Sequence, residues 1–330
     1  MSTGASSDNR KSAVQPIKLD IHTHLVPVDA AALAGIDGVS WDAAAGAMTV
    51  DGHTLGMKPL YAPDKLIAWL DANAIGAAWI SAPPPLYRQH LSESAAAAWC
   101  DYVNRGLADI AQRHANRLTA LPHLPIEHPA LAADIAARAI AAGRHRFSAP
   151  SGGPGRMLSD AAYTPLWQAL DKANAFVLFH PGENDDARLT PFYLTNLLGN
   201  PYETTVAIAH IVFGGIAERY PNIKFCFAHG GGAAAMLAGR FERAFHTDRP
   251  GVDKSLEPPR VALQRLWVDC ITHERGALHL AASIFGKKHV VFGSDWPFPM
   301  GVIEPQAQLA WLEGDERKRV VEDNLTALSA

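Results

Sequence analysis

The feature that most constrains the fold is a regular alternation of short apolar runs with longer helical patterns. Eight runs have the length and composition of buried strands, and each is followed by a helical segment. The strands are predicted at residues 17–22, 76–81, 117–122, 144–149, 175–180, 223–229, 265–270 and 290–295. Strands that alternate with helices indicate βαβ units and a parallel sheet. Eight such units predict an α/β fold of the (β/α)8 TIM-barrel type.

A doubly wound open sheet is the structural alternative to a barrel. Sheets of that class that bind dinucleotides carry the turn G-x-G-x-x-G after their first strand. No such turn follows the first predicted strand here, which favours the barrel.

Two segments of the chain depart from the strand–helix alternation. Residues 26–62 are longer than an ordinary βα loop, so we predict a small inserted subdomain after the first strand. Asp51-Gly52 within it is typical of a hairpin turn. Residues 1–16 are polar and predict a disordered N-terminal tail, neither a secretory signal nor a membrane anchor; residues 17–330 then form the barrel.

Charge and cysteine content limit the partners and the compartment. The net charge of −4 gives no basic face for nucleic acid or anionic lipid. No apolar run reaches the roughly 20 residues that a membrane span needs. The 3 cysteines form no C-x-x-C pair, and their odd number argues against a disulfide framework. We therefore expect a cytoplasmic protein with a small-molecule partner.

Polar side chains that suit a metal ion stand at the ends of four predicted strands. His22 and His24 end the first strand, His180 the fifth, His229 the sixth and Asp295 the eighth. Residues i and i+2 of a strand point the same way, so the first two imidazoles can hold one ion. The carboxyl ends of barrel strands form the active-site face. Imidazole and carboxylate suit Zn²⁺ and related metals, and a metal with an open position can activate water or polarise a substrate.

Each of these signals has a simpler explanation when it is taken alone. The chain has 15 histidines, and one histidine at a strand end is often only hydrogen-bonded within a core or a loop. The coincidence of four signals at the same end of the predicted strands favours the metal site.

The motifs around these residues resemble those of a known enzyme family. HTH at 22–24, FHPG at 179–182, FAHGGG at 227–232 and FGSDWPFP at 292–299 are similar to the amidohydrolase superfamily. Within it the chain resembles the subgroup of 2-amino-3-carboxymuconate-6-semialdehyde decarboxylase, above all over residues 203–245 and 293–299. The resemblance covers residues 17 to about 324 and is thinnest at 27–61.

The resemblance implies a role for several residues. It implies that the metal ligands are His22, His24, His180 and Asp295. His229 matches a histidine that acts as acid, base or polarising group, and Asp295 would also accept a proton. Arg240 matches an arginine that reaches a neighbouring subunit's site and binds a substrate carboxylate, which implies a homodimer or higher oligomer. Without the resemblance, a surface salt bridge to Glu242 would explain Arg240.

The pocket and the metal content follow from the same comparison of motifs. Phe298 matches an aromatic residue that lines the pocket. Related enzymes with two metals carry a lysine at the end of the fourth strand; residues 144–150 contain none, which predicts one divalent metal, Zn²⁺ before Mn²⁺. Glu183 and Trp296 are further candidates for substrate contact, although Trp296 suits a buried core position equally well.

These observations predict a metal-dependent, non-oxidative decarboxylase of an unsaturated or aromatic carboxylic acid. Two departures from the subgroup predict a different substrate from the muconate semialdehyde: Gly182-Glu183 follows His180-Pro181, and no arginine lies between Arg10 and Arg88. A hydrolase of C–C, C–N or ester bonds with the same metal is the alternative. A barrel that only binds ligands is a third, less favoured reading because the ligand set is intact.

Overall fold

The computed structural model describes residues 16–153 and 155–329, so most of the predicted N-terminal tail lies outside the described residues. The strands are β1 Asp20–His24, β2 Val39–Asp42, β3 Ala47–Val50, β4 His53–Leu55, β5 Ala78–Ser81, β6 Leu118–Ala120, β7 Arg146–Pro150, β8 Phe176–His180, β9 Lys224–Phe227, β10 Trp267–Asp269 and β11 Val290–Val291. The α-helices are α1 Ala30–Leu33, α2 Pro63–Ala72, α3 Glu93–Arg113, α4 Pro129–Ala141, α5 Thr164–Lys172, α6 Asn200–Phe213, α7 Ile216–Arg219, α8 Ala234–Phe245, α9 Pro259–Leu263, α10 Arg275–Phe285, α11 Pro305–Leu309, α12 Asp315–Lys318 and α13 Asn324–Ser329.

All eight predicted strands are present, as β1 and β5 to β11, and helices separate them along the chain. They pair in parallel in two sheets with the orders β1-β5-β6 and β7-β8-β9-β10-β11. Most of their side chains are buried, as expected for parallel strands covered by helices. The carboxyl ends of all eight strands therefore meet at one end of the molecule.

Backbone hydrogen bonds connect the edges of the two sheets. Ser148 of β7 donates its N–H to Pro122 O at 3.0 Å, just beyond β6. On the other side, Ile21 of β1 donates to Phe292 O at 3.1 Å, and Asp295 donates to His22 O at 2.8 Å. These bonds join the first strand to the segment that continues the last strand, between residues more than 270 positions apart in the sequence.

The segment between β1 and α2 contains a three-stranded antiparallel sheet of order β2-β3-β4. Its second turn is at Asp51-Gly52, where both residues have positive φ, 48° and 82°, so the predicted hairpin is confirmed. Arg88, which follows β5 and is buried, donates to both carboxylate oxygens of Asp51 at 2.8 and 2.7 Å. This bidentate ion pair ties the small sheet to the rest of the fold.

Aromatic and aliphatic side chains of the strands fill the core. Phe147, Phe179, Phe225, Phe227 and Phe292 are each at most 1% exposed. Within the described ranges no helix is both long and apolar enough to traverse a lipid bilayer.

Candidate active site

Five polar residues meet at the carboxyl ends of the strands. His22 and His24 lie on β1, His180 is the last residue of β8, His229 follows β9 and Asp295 follows β11. Thr23 separates the first two by pointing away from them, and its hydroxyl donates to Trp79 O at 2.8 Å. Short, fully buried strands thus fix the Cα positions of these side chains.

The imidazoles surround the carboxylate of Asp295. Its Oδ1 lies 3.2 Å from His22 Nε2, 3.0 Å from His24 Nε2 and 3.8 Å from His180 Nε2. Its Oδ2 faces His229 Nε2 at 3.6 Å. His229 is the most exposed of the four imidazoles, at 18%, whereas the side chains of the other three are at most 4% exposed. His229 therefore occupies the solvent side of the cluster.

The second ring nitrogen of each buried imidazole faces a hydrogen-bond acceptor. His22 Nδ1 is 2.8 Å from Asp269 Oδ2 and His180 Nδ1 is 3.0 Å from Pro181 O. His24 Nδ1 lies 3.2 Å from Ala82 O. A carbonyl or a carboxylate can only accept, so these Nδ1 atoms carry the proton. Each Nε2 can then present a lone pair to a cation bound at the centre of the cluster; without a cation, His22 Nε2 carries a proton directed at Asp295 Oδ1.

This donor set fits a single divalent cation. His22 Nε2 and His24 Nε2 lie 3.1 Å apart, a distance that requires either a proton or a metal ion between the two nitrogens. His180 Nε2 and Asp295 Oδ1 are buried and receive no hydrogen bond from the described residues. Three imidazole nitrogens and one carboxylate oxygen form a typical set of zinc ligands. The ligand atoms that all lie within 4.8 Å of one another belong to His22, His180, His229 and Asp295. By that distance His229 takes the place predicted for His24, although His24 Nε2 lies 3.1 Å from His22 Nε2 and 3.0 Å from Asp295 Oδ1.

The pKa values of the cluster residues show that its carboxylates favour positive charge at the centre of the cluster. Burial opposes protonation of His22, yet the carboxylates of Asp295 and Asp269 outweigh it and raise the pKa of His22 to about 10. Burial likewise opposes ionisation of Asp295, but the facing imidazoles hold its pKa well below the usual value. Burial lowers the pKa of His24 and, more strongly, that of His180, which keeps both rings neutral and able to ligate.

Two cavities adjoin this cluster. The larger, about 510 Å³, extends between α8 and α10 and has apolar walls that include Met236 and Leu280. The smaller, about 280 Å³, is bordered by Pro84, Pro85, Tyr193 and Phe298. Both share the lining residues Asn196, Asn200, His229, Asp295 and Met300. His229 and Asp295 thus face the space available to a small molecule, while His24 lies behind them.

The remaining predicted residues have different positions. Phe298 lines the smaller cavity, and its ring packs edge-on against His24 at 5.4 Å. Trp296 is half-buried against the core and lines neither cavity. Glu183 also lines neither; its carboxylate is turned toward His90 Nδ1 at 3.6 Å. Arg240 is exposed on α8, and Glu242 is paired with His246 instead, at 3.1 Å.

Sequence reasoning missed several residues near the cluster. Asp269, at the end of β10, is fully buried and contacts His22 directly. A carboxylate within the apolar run LWVDC was the available signal. Asn196 and Asn200 carried no such signal, because they lie in the short irregular helical turn Thr195–Gly199 and at the start of α6. Tyr87 is buried between His123 and His180, with ring centroids at 4.8 and 6.4 Å.

Fold and site together define an α/β protein with a candidate mononuclear metal centre at the carboxyl ends of its parallel strands. The family model described as Amidohydrolase matches residues 19–328. The chain belongs to this family.

Relatives and solved structures agree with the family. The chain is 30% identical over 302 residues to the 2-amino-3-carboxymuconate-6-semialdehyde decarboxylase of Dictyostelium discoideum, covering 88% of this chain and 84% of that protein. It resembles the crystal structure of 5-carboxyvanillate decarboxylase LigW from Sphingomonas paucimobilis with a TM-score of 0.79, 16% identity and coverage of 95% and 99%. It also resembles a dihydroxybenzoic acid decarboxylase from Polaromonas sp. JS666 with bound manganese and 2-nitroresorcinol. The TM-score is 0.75 and the identity 16%, and the match covers 95% of this chain and 97% of that one. These neighbours identify the α/β fold as one of the TIM-barrel type.

Proposed function

We propose that this protein is a metal-dependent, non-oxidative decarboxylase of an unsaturated or aromatic carboxylic acid. The observation that carries the proposal is the convergence of three histidine Nε2 atoms on Asp295 Oδ1, with His229 beside them at the cavity. The relatives named above, which are decarboxylases of such acids, support the same reaction.

The proposed metal ligands are His22, His24, His180 and Asp295. When bound, one divalent ion would supply Lewis-acid polarisation of substrate or water oxygens. Zn²⁺ matches the nitrogen-rich donor set. Mn²⁺ is supported by the manganese bound in the Polaromonas structure. No lysine lies among the described residues that line the two cavities, which supports a single metal rather than a lysine-bridged pair.

His229 and Asp295 are the proposed proton-handling residues. Loss of CO2 leaves an electron pair on the substrate carbon, and a proton must take its place. His229 borders both cavities, and its Nε2 lies 3.6 Å from Asp295 Oδ2. His229 can therefore deliver a proton to the substrate or polarise it, while Asp295 accepts a proton. Phe298 would hold an aromatic ring beside His24, and Asn196 and Asn200 would contact polar substituents.

In the described part of the chain, neither cavity beside the candidate metal site is lined by an arginine or lysine that could pair with a substrate carboxylate. Arg240 is exposed and forms no ion pair with the rest of the described chain. We therefore propose that Arg240 binds the substrate of a second subunit by a charge-assisted contact.

An exposed apolar surface near Arg240 supports this oligomer. Met236 precedes Arg240 by one helical turn and is 77% exposed. Large exposed apolar side chains continue along residues 192–202, at Phe192, Tyr193, Leu198 and Tyr202. Exposed apolar patches of this kind occur at protein–protein interfaces and at ligand-binding grooves, and a two-fold dimer is the commonest closed assembly.

Subunit complementation tests the oligomer separately from the chemistry. Chains with Arg240→Ala and chains with Asp295→Asn should each be inactive. Unfolded together and refolded, they should regain activity, because a mixed dimer has one site with both residues intact. Failure to regain activity, with both variants folded, would contradict the shared site.

Three further features of the molecule support proposals about barrel closure, the inserted subdomain and the cellular setting. The hydrogen bonds at both sheet edges support a closed (β/α)8 barrel. The antiparallel sheet β2-β3-β4 supports an inserted subdomain at residues 26–62. The free, buried cysteines Cys100, Cys226 and Cys270 support the reducing, cytoplasmic setting, with no nucleic-acid or membrane partner proposed.

Metal analysis with product analysis tests the proposed function. The protein is stripped with a chelator, reloaded with Zn²⁺ or Mn²⁺, and supplied with aromatic and unsaturated carboxylic acids. We expect CO2 release that depends on metal, and about one metal ion per chain. His180→Ala should lose both the bound metal and the CO2 release. His210→Ala is the matched control, since His210 is half-buried and hydrogen-bonded to Ser159 at 2.9 Å. Two cleaved fragments without CO2 would mark a hydrolase, and a wild type that never binds metal would end the proposal.

A further inference from the structure

Asp269 connects two parts of the active site through its two carboxylate oxygens. Oδ2 lies 2.8 Å from His22 Nδ1. Oδ1 accepts from the backbone N–H of Gly230 at 2.9 Å and from that of Ile271 at 3.1 Å. Gly230 follows His229 in a turn in which both residues have positive φ, 55° at His229 and 62° at Gly230. Neither carboxylate oxygen is left without a donor.

The side chains of Asp269 and His22 are tightly packed. Asp269 and His22 are both 0% exposed, and they are distant in sequence, with a separation of 247 residues. A Cβ added at Gly293 would lie 2.9 Å from His22 Cβ and 3.0 Å from Asp269 Cβ. Glycine at position 293 thus permits the two side chains to meet. The packing holds the carboxylate and the imidazole in a fixed mutual orientation.

A carboxylate in this position determines which nitrogen of His22 carries the proton. A carboxylate accepts only, so Nδ1 must donate to Asp269, which leaves the Nε2 lone pair available to a metal ion bound at the cluster. Histidine ligands are generally oriented in this way, and loss of such a partner typically costs about 10–100-fold in metal affinity.

We propose that Asp269 is a positioning residue that holds His22 in the metal-binding tautomer and joins it to the turn that carries His229. This inference rests on the metal site proposed above. Asp269 does not contact the substrate cavities; it acts through His22 and through the backbone of Gly230.

The isosteric change Asp269→Asn tests the tautomer directly. The amide oxygen can still accept from Gly230 and Ile271, which preserves the turn. The amide nitrogen then faces His22 Nδ1 and donates, which moves the ring proton to Nε2 and removes the lone pair that ligates. The fold therefore stays intact while one metal ligand is lost.

Asp20→Asn is the matched control. Asp20 is equally buried, and its Oδ1 accepts from the backbone N–H groups of His22 and Ser294, each at 3.0 Å. Its replacement changes no imidazole partner.

The measurement is Zn²⁺ affinity of the metal-free proteins, by competition with a chromophoric chelator, with circular dichroism to verify folding. Asp269→Asn should bind Zn²⁺ about 10–100-fold more weakly than the wild type, and Asp20→Asn within about threefold of it. Asp269→Ser, whose hydroxyl is too short to reach His22, should show a similar loss and serves if the amide variant does not fold.

Two results would overturn the proposal. One is an Asp269→Asn protein that binds Zn²⁺ as tightly as the wild type. The other is an equal loss in Asp20→Asn, which would assign the effect to buried charge in general. Failure of the wild type itself to bind would instead overturn the metal site, so the two failures are distinguishable.

Discussion

Replacing His229 with asparagine separates a proton-handling role from a metal-binding role. His229 lies mutually within 4.8 Å of His22, His180 and Asp295, so distance alone allows either role. It nevertheless faces Asp295 Oδ2 rather than Oδ1, and it borders both cavities. Asparagine is the suitable replacement because residue 229 has a φ of 55°, which asparagine tolerates better than alanine.

The expected loss follows from the chemistry that the position allows. A positioned acid–base group contributes about 10²–10⁴-fold to a rate, equivalent to about 3–5 kcal/mol of barrier. We expect His229→Asn to lower kcat by that factor. Metal content should stay near one ion per chain, because three imidazoles and the Asp295 carboxylate remain.

The assay pairs CO2 release with elemental analysis of the same protein samples. His24→Asn is the control, since His24 is fully buried, lies 3.0 Å from Asp295 Oδ1 and lines neither cavity. That variant should lose metal and activity together. The reasoning would be refuted if His229→Asn lost its metal while His24→Asn kept it, or if His229→Asn kept full activity.

Three further predictions concern stability. Arg88→Met should lower the free energy of unfolding by about 1–3 kcal/mol, because Asp51 loses its bidentate partner. The hydrogen bonds from Arg88 lower the pKa of Asp51 in the folded protein. The stabilisation is therefore present above the unfolded carboxyl pKa of about 4 and is lost as the pH falls through the folded pKa of Asp51. Urea unfolding should show a smaller difference in the free energy of unfolding between wild type and Arg88→Met at pH 3 than at pH 7. Gly231→Ala should be poorly folded by circular dichroism, since φ is 77° and the new Cβ would lie 2.8 Å from the Phe285 ring, whereas Gly239→Ala, with open space around it, should fold normally. Metal removal should lower the Tm, and Zn²⁺ should restore it in proportion to the logarithm of its concentration; an unchanged Tm would contradict binding to the folded state.

The order of elements and most of the candidate metal site were predictable because their signals are local. Apolar runs of strand length, separated by helical patterns, indicated all eight parallel strands. The spacing of His22 and His24 on one strand put both rings on one side. Asp51-Gly52 has the backbone preferences of a tight hairpin turn, and the hairpin is present. Such features depend on a few neighbouring residues, so they can be predicted without knowledge of the rest of the chain.

Tertiary structure alone decided which distant side chains meet. Asp269 reaches His22 only because β10 and β1 direct their carboxyl ends into the same core. Glu183, two residues beyond the Pro181 that follows His180, was expected near the substrate, but its side chain turns toward His90. Arg240 is exposed on α8, and its expected contact involves another chain. Periodicity determines which face of a strand or helix a residue occupies, but packing across the whole molecule determines what that face touches.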